Sequence, residues 1–302
     1  MEDLKLSKVQ NIPIENDKGV SLYVKREDLI HPFISGNKYR KLKYNLEEAK
    51  YKGQNTLLTF GGAYSNHIAA TAYAGKISGF KTIGLIRGNE LESEVEVNPT
   101  LKFAHSNGMQ FKFISRESYR QKAEEEFLDK LKSEFGSFYL IPEGGTNALA
   151  VKGCEEILQK NDYRFDFICC CVGTGGTISG LINTSGGNQK ILGFPALKDD
   201  FLRQDIRRFA TKENWDLIND YHFGGYGKIK PELVAFINRF KKNYDVPLDP
   251  VYTGKMMYGI FDLMAKDFFP KQSKILAIHT GGLQGIEGMN LKLKQKGWLQ
   301  IE

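Results

Sequence analysis

Short apolar runs alternate with longer stretches of helical spacing along this chain. Residues 20–25 alternate between apolar and polar side chains, as a half-exposed strand does. Compact apolar or β-branched runs follow at 56–60, 81–86, 109–114, 137–141, 165–172, 190–194 and 274–278. Segments between them, such as 118–135 and 147–160, have helical length and spacing. Strands alternating with helices predict an α/β fold, with mostly parallel sheet and helices on both faces. A chain of 302 residues is long enough for two lobes.

Several predicted strands run straight into a glycine turn, and the chemistry-bearing residues gather there. Ahead of them, Ser35, Gly36 and Asn37 form a turn, and Tyr39, Leu42, Leu46 and Ala49 then recur at helical spacing. This predicts a helix that Asn37 caps and that carries Lys38 at its start. The positive end of the helix dipole disfavours a charged lysine there, and a neutral amine is what Schiff-base chemistry requires. The same residues also suit a solvated lysine beside an ordinary cap.

The run Gly173, Thr174, Gly175, Gly176, Thr177 follows the strand 165–172 and leads into a helix. Its glycines expose backbone N–H groups and its threonines add hydroxyls, a combination suited to a phosphate. A dinucleotide fingerprint fails, because Ile178 stands where the third glycine belongs. No Gly-x-x-x-x-Gly-Lys-Ser/Thr sequence occurs either. A phosphorylated cofactor that also needs a lysine remains, which is pyridoxal phosphate. Ser65 and Asn66 open another helix after a Gly61, Gly62 turn, a place suited to a carboxylate or to a plain cap. His67 reads as a packing or surface histidine. Tyr226 and Tyr252 lie in turn-rich segments, and His279, Thr280, Gly281 and Gly282 close the last strand.

Composition narrows the class further. Lys and Arg number 42 against 36 Asp and Glu, a net +6 scattered along the chain, which argues for a small anionic ligand and against nucleic acid. No apolar run is long enough to span a bilayer, and the first fifteen residues hold no signal-like stretch. The trio Cys169, Cys170, Cys171 falls in a strand, where successive side chains take opposite faces. Neither a metal site nor a disulfide framework is expected, and a reduced cytoplasmic setting is.

Taken in order, Ser35–Lys38, Ser65–His67, Gly173–Thr177, the segment 249–255 (Asp, Pro, Val, Tyr, Thr, Gly, Lys) and His279–Gly282 resemble the aminocyclopropane-carboxylate deaminase and D-cysteine desulfhydrase family. The resemblance runs from about residue 25 to residue 282. It implies pyridoxal-phosphate fold type II, the tryptophan synthase β-like fold. Residues 1–44 and 146–302 would form the larger, cofactor-binding lobe and residues 45–145 the smaller one. It also implies a homodimer and a small amino-acid substrate. By this resemblance Lys38 carries the cofactor and acts as the Cα base, Asn66 contacts the ring hydroxyl, and the backbone of Gly173, Thr174, Gly175, Gly176 and Thr177 holds the phosphate. Ser65 binds the substrate carboxylate, Tyr226 and Tyr252 face the reacting carbons, and Thr253 partners the pyridine nitrogen. The ring-opening deaminases of the family carry a glutamate at the Thr253 position, whereas the desulfhydrase branch resembles the threonine found here. A carboxylate at that nitrogen makes a stronger electron sink than a hydroxyl does. The resemblance therefore implies α,β-elimination from D-cysteine, with aminocyclopropane-carboxylate deamination or cofactor binding without turnover as alternatives.

Overall fold

In the computed structural model, which describes residues 4–198 and 201–302, the predicted strands divide between two sheets. One contains β1 (Asn11–Ile14), β2 (Ser21–Lys25), β7 (Phe167–Val172), β8 (Lys190–Pro195), β9 (Trp215–Leu217) and β10 (Lys274–Ile278), in the order β1-β2-β10-β7-β8-β9. The other contains β3 (Thr56–Gly61), β4 (Lys81–Arg87), β5 (Met109–Ile114) and β6 (Tyr139–Ile141), in the order β5-β4-β3-β6. Every pairing is parallel except β1 with β2. The helices are α1 (Asn37–Tyr51), α2 (Asn66–Ser78), α3 (Pro99–Ser106), α4 (Arg116–Arg120), α5 (Glu125–Phe135), α6 (Ala148–Cys154), α7 (Gly176–Thr184), α8 (Leu202–Arg207), α9 (Pro231–Tyr244), α10 (Thr253–Ala265) and α11 (Gly285–Gln295). Among the described residues no helix is long and apolar enough to cross a membrane.

Burial on both faces explains why the strands are uniformly apolar. Cys169 and Cys171 face a core built with Leu233, Ile237, Met256 and Ile260 of α9 and α10. Ile168, Cys170 and Val172 face the opposite core, with Cys154, Ile178 and Leu181 of α6 and α7. The cysteines thus alternate as their spacing predicted, and all four are buried and free. Each fully buried Leu or Ile contributes about 1.5–3 kcal/mol.

Three predicted details differ. The helical stretch 118–135 is two helices, α4 and α5, because Tyr119 turns inward to bond Glu143 while α5 lays Phe127, Leu128 and Leu131 on the small sheet. The stretch 147–160 is helical only through α6 and then folds into turns. Asn37 is not the cap of α1: Gly36 holds that position with no side-chain bond. Gly36 has φ +58°, and a Cβ there would lie 2.1 Å from the Thr280 carbonyl oxygen, so the close approach of α1 to the last strand requires glycine.

Both sheets have a switch in strand order, and the switches determine where the site opens. In the larger sheet β7 leads outward to β8 and β9, while the last strand, β10, lies on its other side against β2; in the smaller, β3 leads outward to β4 and β5, while β6 lies on its other side. Loops leaving the carboxyl ends of such neighbouring strands part and leave a crevice. Helix α1 crosses α6 so closely that a Cβ on Gly153 would sit 1.9 Å from the Arg40 carbonyl oxygen, and α6 is likewise close against Gly180 of α7. That stack of α1, α6 and α7 sets the start of the lysine helix beside the glycine loop.

Candidate active site

A cleft lies at these strand ends. Strand β7 supplies Cys171 and Val172, and the turn after it supplies Gly173, Thr174 and Gly175. Helix α7 then begins, with Thr177 and Ile178 on the wall. Its cap, Gly175, has φ +82° and offers no side-chain bond, so the first N–H groups of α7 are left for a ligand. Gly176 does not line the cleft; a Cβ there would run into Thr146 Oγ1 at 2.8 Å.

Lys38 lies in the first turn of α1 and lines the same cleft. Its Nζ donates to Asn37 Oδ1 at 3.1 Å, and Asn37 Nδ2 donates to Thr177 Oγ1 at 2.9 Å. Burial pushes the Lys38 amine below the ordinary lysine range, against smaller opposing effects of Cys171, Cys154 and Asp249. The amine is therefore held toward its neutral form, chiefly by desolvation.

One helical turn on, Lys41 also lines the cleft, and sequence reading missed it. It is 3% exposed, and its Nζ donates to Gly144 O and Thr146 Oγ1, both at 3.0 Å, with Thr174 Oγ1 at 3.5 Å. Burial, then the Lys38 charge, lowers it to about 7. The available signal was its i+3 spacing from Lys38, which puts both on one helix face.

Asn66 opens α2 and borders the cleft, and its Oδ1 is buried without a hydrogen-bond partner. Ser65 is the cap of α2 and is not among the lining residues; its Oγ accepts from His67 N–H and Ile68 N–H. His67 is buried beneath, with Nε2 2.8 Å from Thr59 Oγ1, and burial and both lysines hold it well below the usual imidazole range.

Tyr252 lines the cleft and a second cavity beside it, which also receives Tyr226, Asn66 and Asp249. The two tyrosine rings meet edge to face, with centroids 6.2 Å apart. Burial raises both phenols; a bond from the Tyr252 hydroxyl partly offsets this at Tyr226. Tyr226 is 47% exposed as a residue, so its loop meets solvent while its hydroxyl end is desolvated against Tyr252.

Thr253 does not reach the cleft. It is fully buried, its hydroxyl donates to Asp249 Oδ1 at 2.8 Å, and the same oxygen accepts from Asp249 N–H at 2.9 Å. The Asp249 carboxylate takes the N–H groups of Val251, Tyr252 and Thr253 and so caps α10. Thr280, just past the end of β10, does line the cleft, as Thr174 and Thr177 do, and its hydroxyl lies 3.0 Å from Cys171 Sγ. Among the described lining residues none carries a carboxylate.

Comparison with known proteins agrees with this geometry. Residues 6–281 match the profile of the pyridoxal-phosphate dependent enzymes. A putative 1-aminocyclopropane-1-carboxylate deaminase of Pyrococcus horikoshii is 33% identical over 297 residues, covering 92% of this chain and 89% of that protein. A mitochondrial bifunctional D-cysteine desulfhydrase/1-aminocyclopropane-1-carboxylate deaminase of Arabidopsis thaliana is 32% identical, covering 89% of this chain and 74% of its own. The crystal structure of an ACC deaminase homologue superposes with a TM-score of 0.81 at 30% identity, over 96% of both chains. The residues fit the cofactor: uncapped N–H groups and a buried lysine suit its phosphate, the Asn66 oxygen lacks a partner, and a second lysine is held toward neutrality. The chain belongs to the pyridoxal-phosphate-dependent enzymes of fold type II.

Proposed function

We propose that this enzyme is a lyase that eliminates the β-substituent of a small amino acid, D-cysteine first, giving pyruvate, ammonia and sulfide. The observation that carries this reading is the cleft wall without a carboxylate. When bound, pyridoxal phosphate withdraws electrons from the substrate Cα. A carboxylate at its ring nitrogen strengthens that pull, and a hydroxyl such as that of Thr280 does so much less. Sulfide is a stable leaving group and departs under the weaker pull; cyclopropane opening expels carbon and needs the stronger one.

Each remaining role follows from the groups at hand. The Gly173–Thr177 backbone and Lys41 hold the phosphate, and Asn66 meets the ring hydroxyl. Lys38 carries the cofactor and, as a neutral amine, takes the Cα proton. Ser65 Oγ accepts two N–H groups and keeps its own proton free to donate to the substrate carboxylate, beside the positive end of α2. The Tyr226 hydroxyl, kept protonated by desolvation, donates to the departing sulfur while Tyr252 orients it. Loss of sulfide leaves an enamine, which tautomerises to an imine and takes up water to give pyruvate and ammonia.

The two sheets support a division into a smaller lobe of residues 45–145 and a larger lobe from both ends of the chain, although α1 runs unbroken across residue 45. A cytoplasmic homodimer completes the proposal, and light scattering tests the dimer. Substrate is tested by incubating the holoenzyme with D-cysteine, L-cysteine and aminocyclopropane carboxylate and measuring keto acid. Pyruvate from D-cysteine is expected. Ring opening at a matching rate overturns the assignment.

A further inference from the structure

Lys255 points away from the cleft, and no step above uses it. It stands in the first turn of α10 at 2% exposure, where the helix dipole opposes a positive charge. Three backbone carbonyls converge on its Nζ: His222 O and Gly225 O at 2.9 Å, and Ala196 O at 3.2 Å. An ammonium has three N–H donors, and this cage takes all of them.

Two of those acceptors belong to the segment that carries Tyr226. It consists of consecutive turns, in which Gly225 N–H donates to His222 O at 3.0 Å and Lys228 N–H to Gly225 O at 3.2 Å. Phe223, Gly224, Gly225 and Gly227 have φ of +55°, +95°, +121° and +64°. A Cβ on Gly225 or Gly227 would meet nothing within 4 Å, so these glycines serve backbone angle and not close packing. Phe223 anchors one end of the segment edge to face on Tyr258, with centroids 5.0 Å apart; past it Gly224, Gly225 and Gly227 offer no side chain, and the carbonyls are what another element can grip. The Gly225 carbonyl belongs to the peptide bond just before Tyr226. The third acceptor, Ala196, donates its own N–H to Val172 O at 2.9 Å, at the strand end that begins the glycine loop.

We propose that Lys255 is a positioning residue that fixes the Tyr226 loop over the cleft by gripping the His222 and Gly225 carbonyls. Its effect on turnover rests on the Tyr226 role proposed above; its effect on the loop does not. Removing the ammonium leaves three buried carbonyls short of a donor and frees the loop from both β8 and α10.

Hydrogen exchange on the Lys255→Met holoenzyme tests this. Amides of residues 222–228 are expected to lose protection by about ten-fold or more, while β7 and β10 and the cofactor absorbance stay as in wild type. Turnover of D-cysteine is expected to fall about as far as in Tyr226→Phe, in kcat more than in KM, and the double variant is expected to be no worse than either single one. Wild-type protection at 222–228 overturns the proposal, and so do losses that multiply in the double variant. Lost protection with undiminished turnover upholds the grip and removes Tyr226 from the reaction. Should the methionine variant not fold, Lys255→Gln, which keeps two N–H donors, is expected to fall between the two in protection. Full protection in that variant likewise overturns the proposal.

Discussion

Lys41→Met is expected to stabilise the cofactor-free protein below pH 7 and to weaken its hold on pyridoxal phosphate. Burial and the neighbouring Lys38 lower the Lys41 ammonium from 10.5 to about 7. That gap corresponds to about 5 kcal/mol in favour of the neutral amine in the folded chain. Below pH 7 the amine is charged in the folded and unfolded chains alike, so the whole penalty stands. Between 7 and 10.5 the folded chain sheds its proton while the unfolded chain keeps it, and the penalty fades as pH rises. Against it stand the bonds to Gly144 O and Thr146 Oγ1; leaving those acceptors without their donor costs about 1–3 kcal/mol. The balance is about 2–4 kcal/mol in favour of methionine at pH 6 and about nil at pH 9. A phosphate beside the amine restores the value of its charge, so the variant is expected to bind cofactor roughly ten- to a hundred-fold more weakly. Urea unfolding of both apoproteins at pH 6 and pH 9, with cofactor titration by absorbance, measures each quantity. An apo variant less stable than wild type at pH 6, or a gain that grows with pH, refutes the reasoning.

Lys38→Ala is expected to abolish covalent cofactor attachment; borohydride reduction and peptide mapping of wild type should label Lys38, and a label on Lys41 sinks the assignment. Gly175→Asp forces a side chain into a +82° φ, 2.9 Å from Ile206 Cγ1, and adds a negative charge to an anion cradle, so cofactor retention should fall far more than the melting temperature. Retention equal to wild type would show that the loop is purely structural. Thr253→Glu buries a second carboxylate against Asp249 and is expected to destabilise by about 3–5 kcal/mol. Wild-type stability with a shifted cofactor spectrum would return Thr253 to the cleft wall.

How legible the site was depended on whether a residue acts through its backbone or its side chain. The glycine loop could be read because uncapped N–H groups at a strand-to-helix turn require glycine, and Lys38 because it starts an apolar-striped helix. The strands at 165–172 and 274–278 could be read because burial on both faces leaves them uniformly apolar. Strands β1 and β9 have only four and three residues, too few for a periodicity to register. Thr253 misled because it follows Tyr252 directly. Helix α10 begins there, so neighbouring side chains diverge by about 100°: Tyr252 faces the cleft and Thr253 turns back to Asp249. The contribution of Thr280 depends on β10 lying beside β7, a long-range pairing that local pattern does not encode.

In the proposed reaction two lysines on one face of one helix serve opposite chemical needs. A phosphate requires a charged partner, and a Cα base requires an uncharged one. Both amines are buried at the cleft, and desolvation destabilises each in its charged form. What separates them is their immediate partners. Lys41 Nζ is surrounded by acceptor oxygens of Gly144, Thr146 and Thr174 at the edge of the glycine loop, where a dianion beside it favours the charged form. Lys38 Nζ bonds the Asn37 amide oxygen, and desolvation outweighs the opposing effects of Cys171, Cys154 and Asp249, so the neutral form is favoured. A carboxylate introduced to stabilise the empty cleft would pull Lys38 back toward its charged form and compete with the phosphate for Lys41. The buried charges thus make the cleft destabilising on its own, and in the proposed reaction the cofactor's phosphate would supply the missing charge at one lysine while leaving the other free to accept a proton.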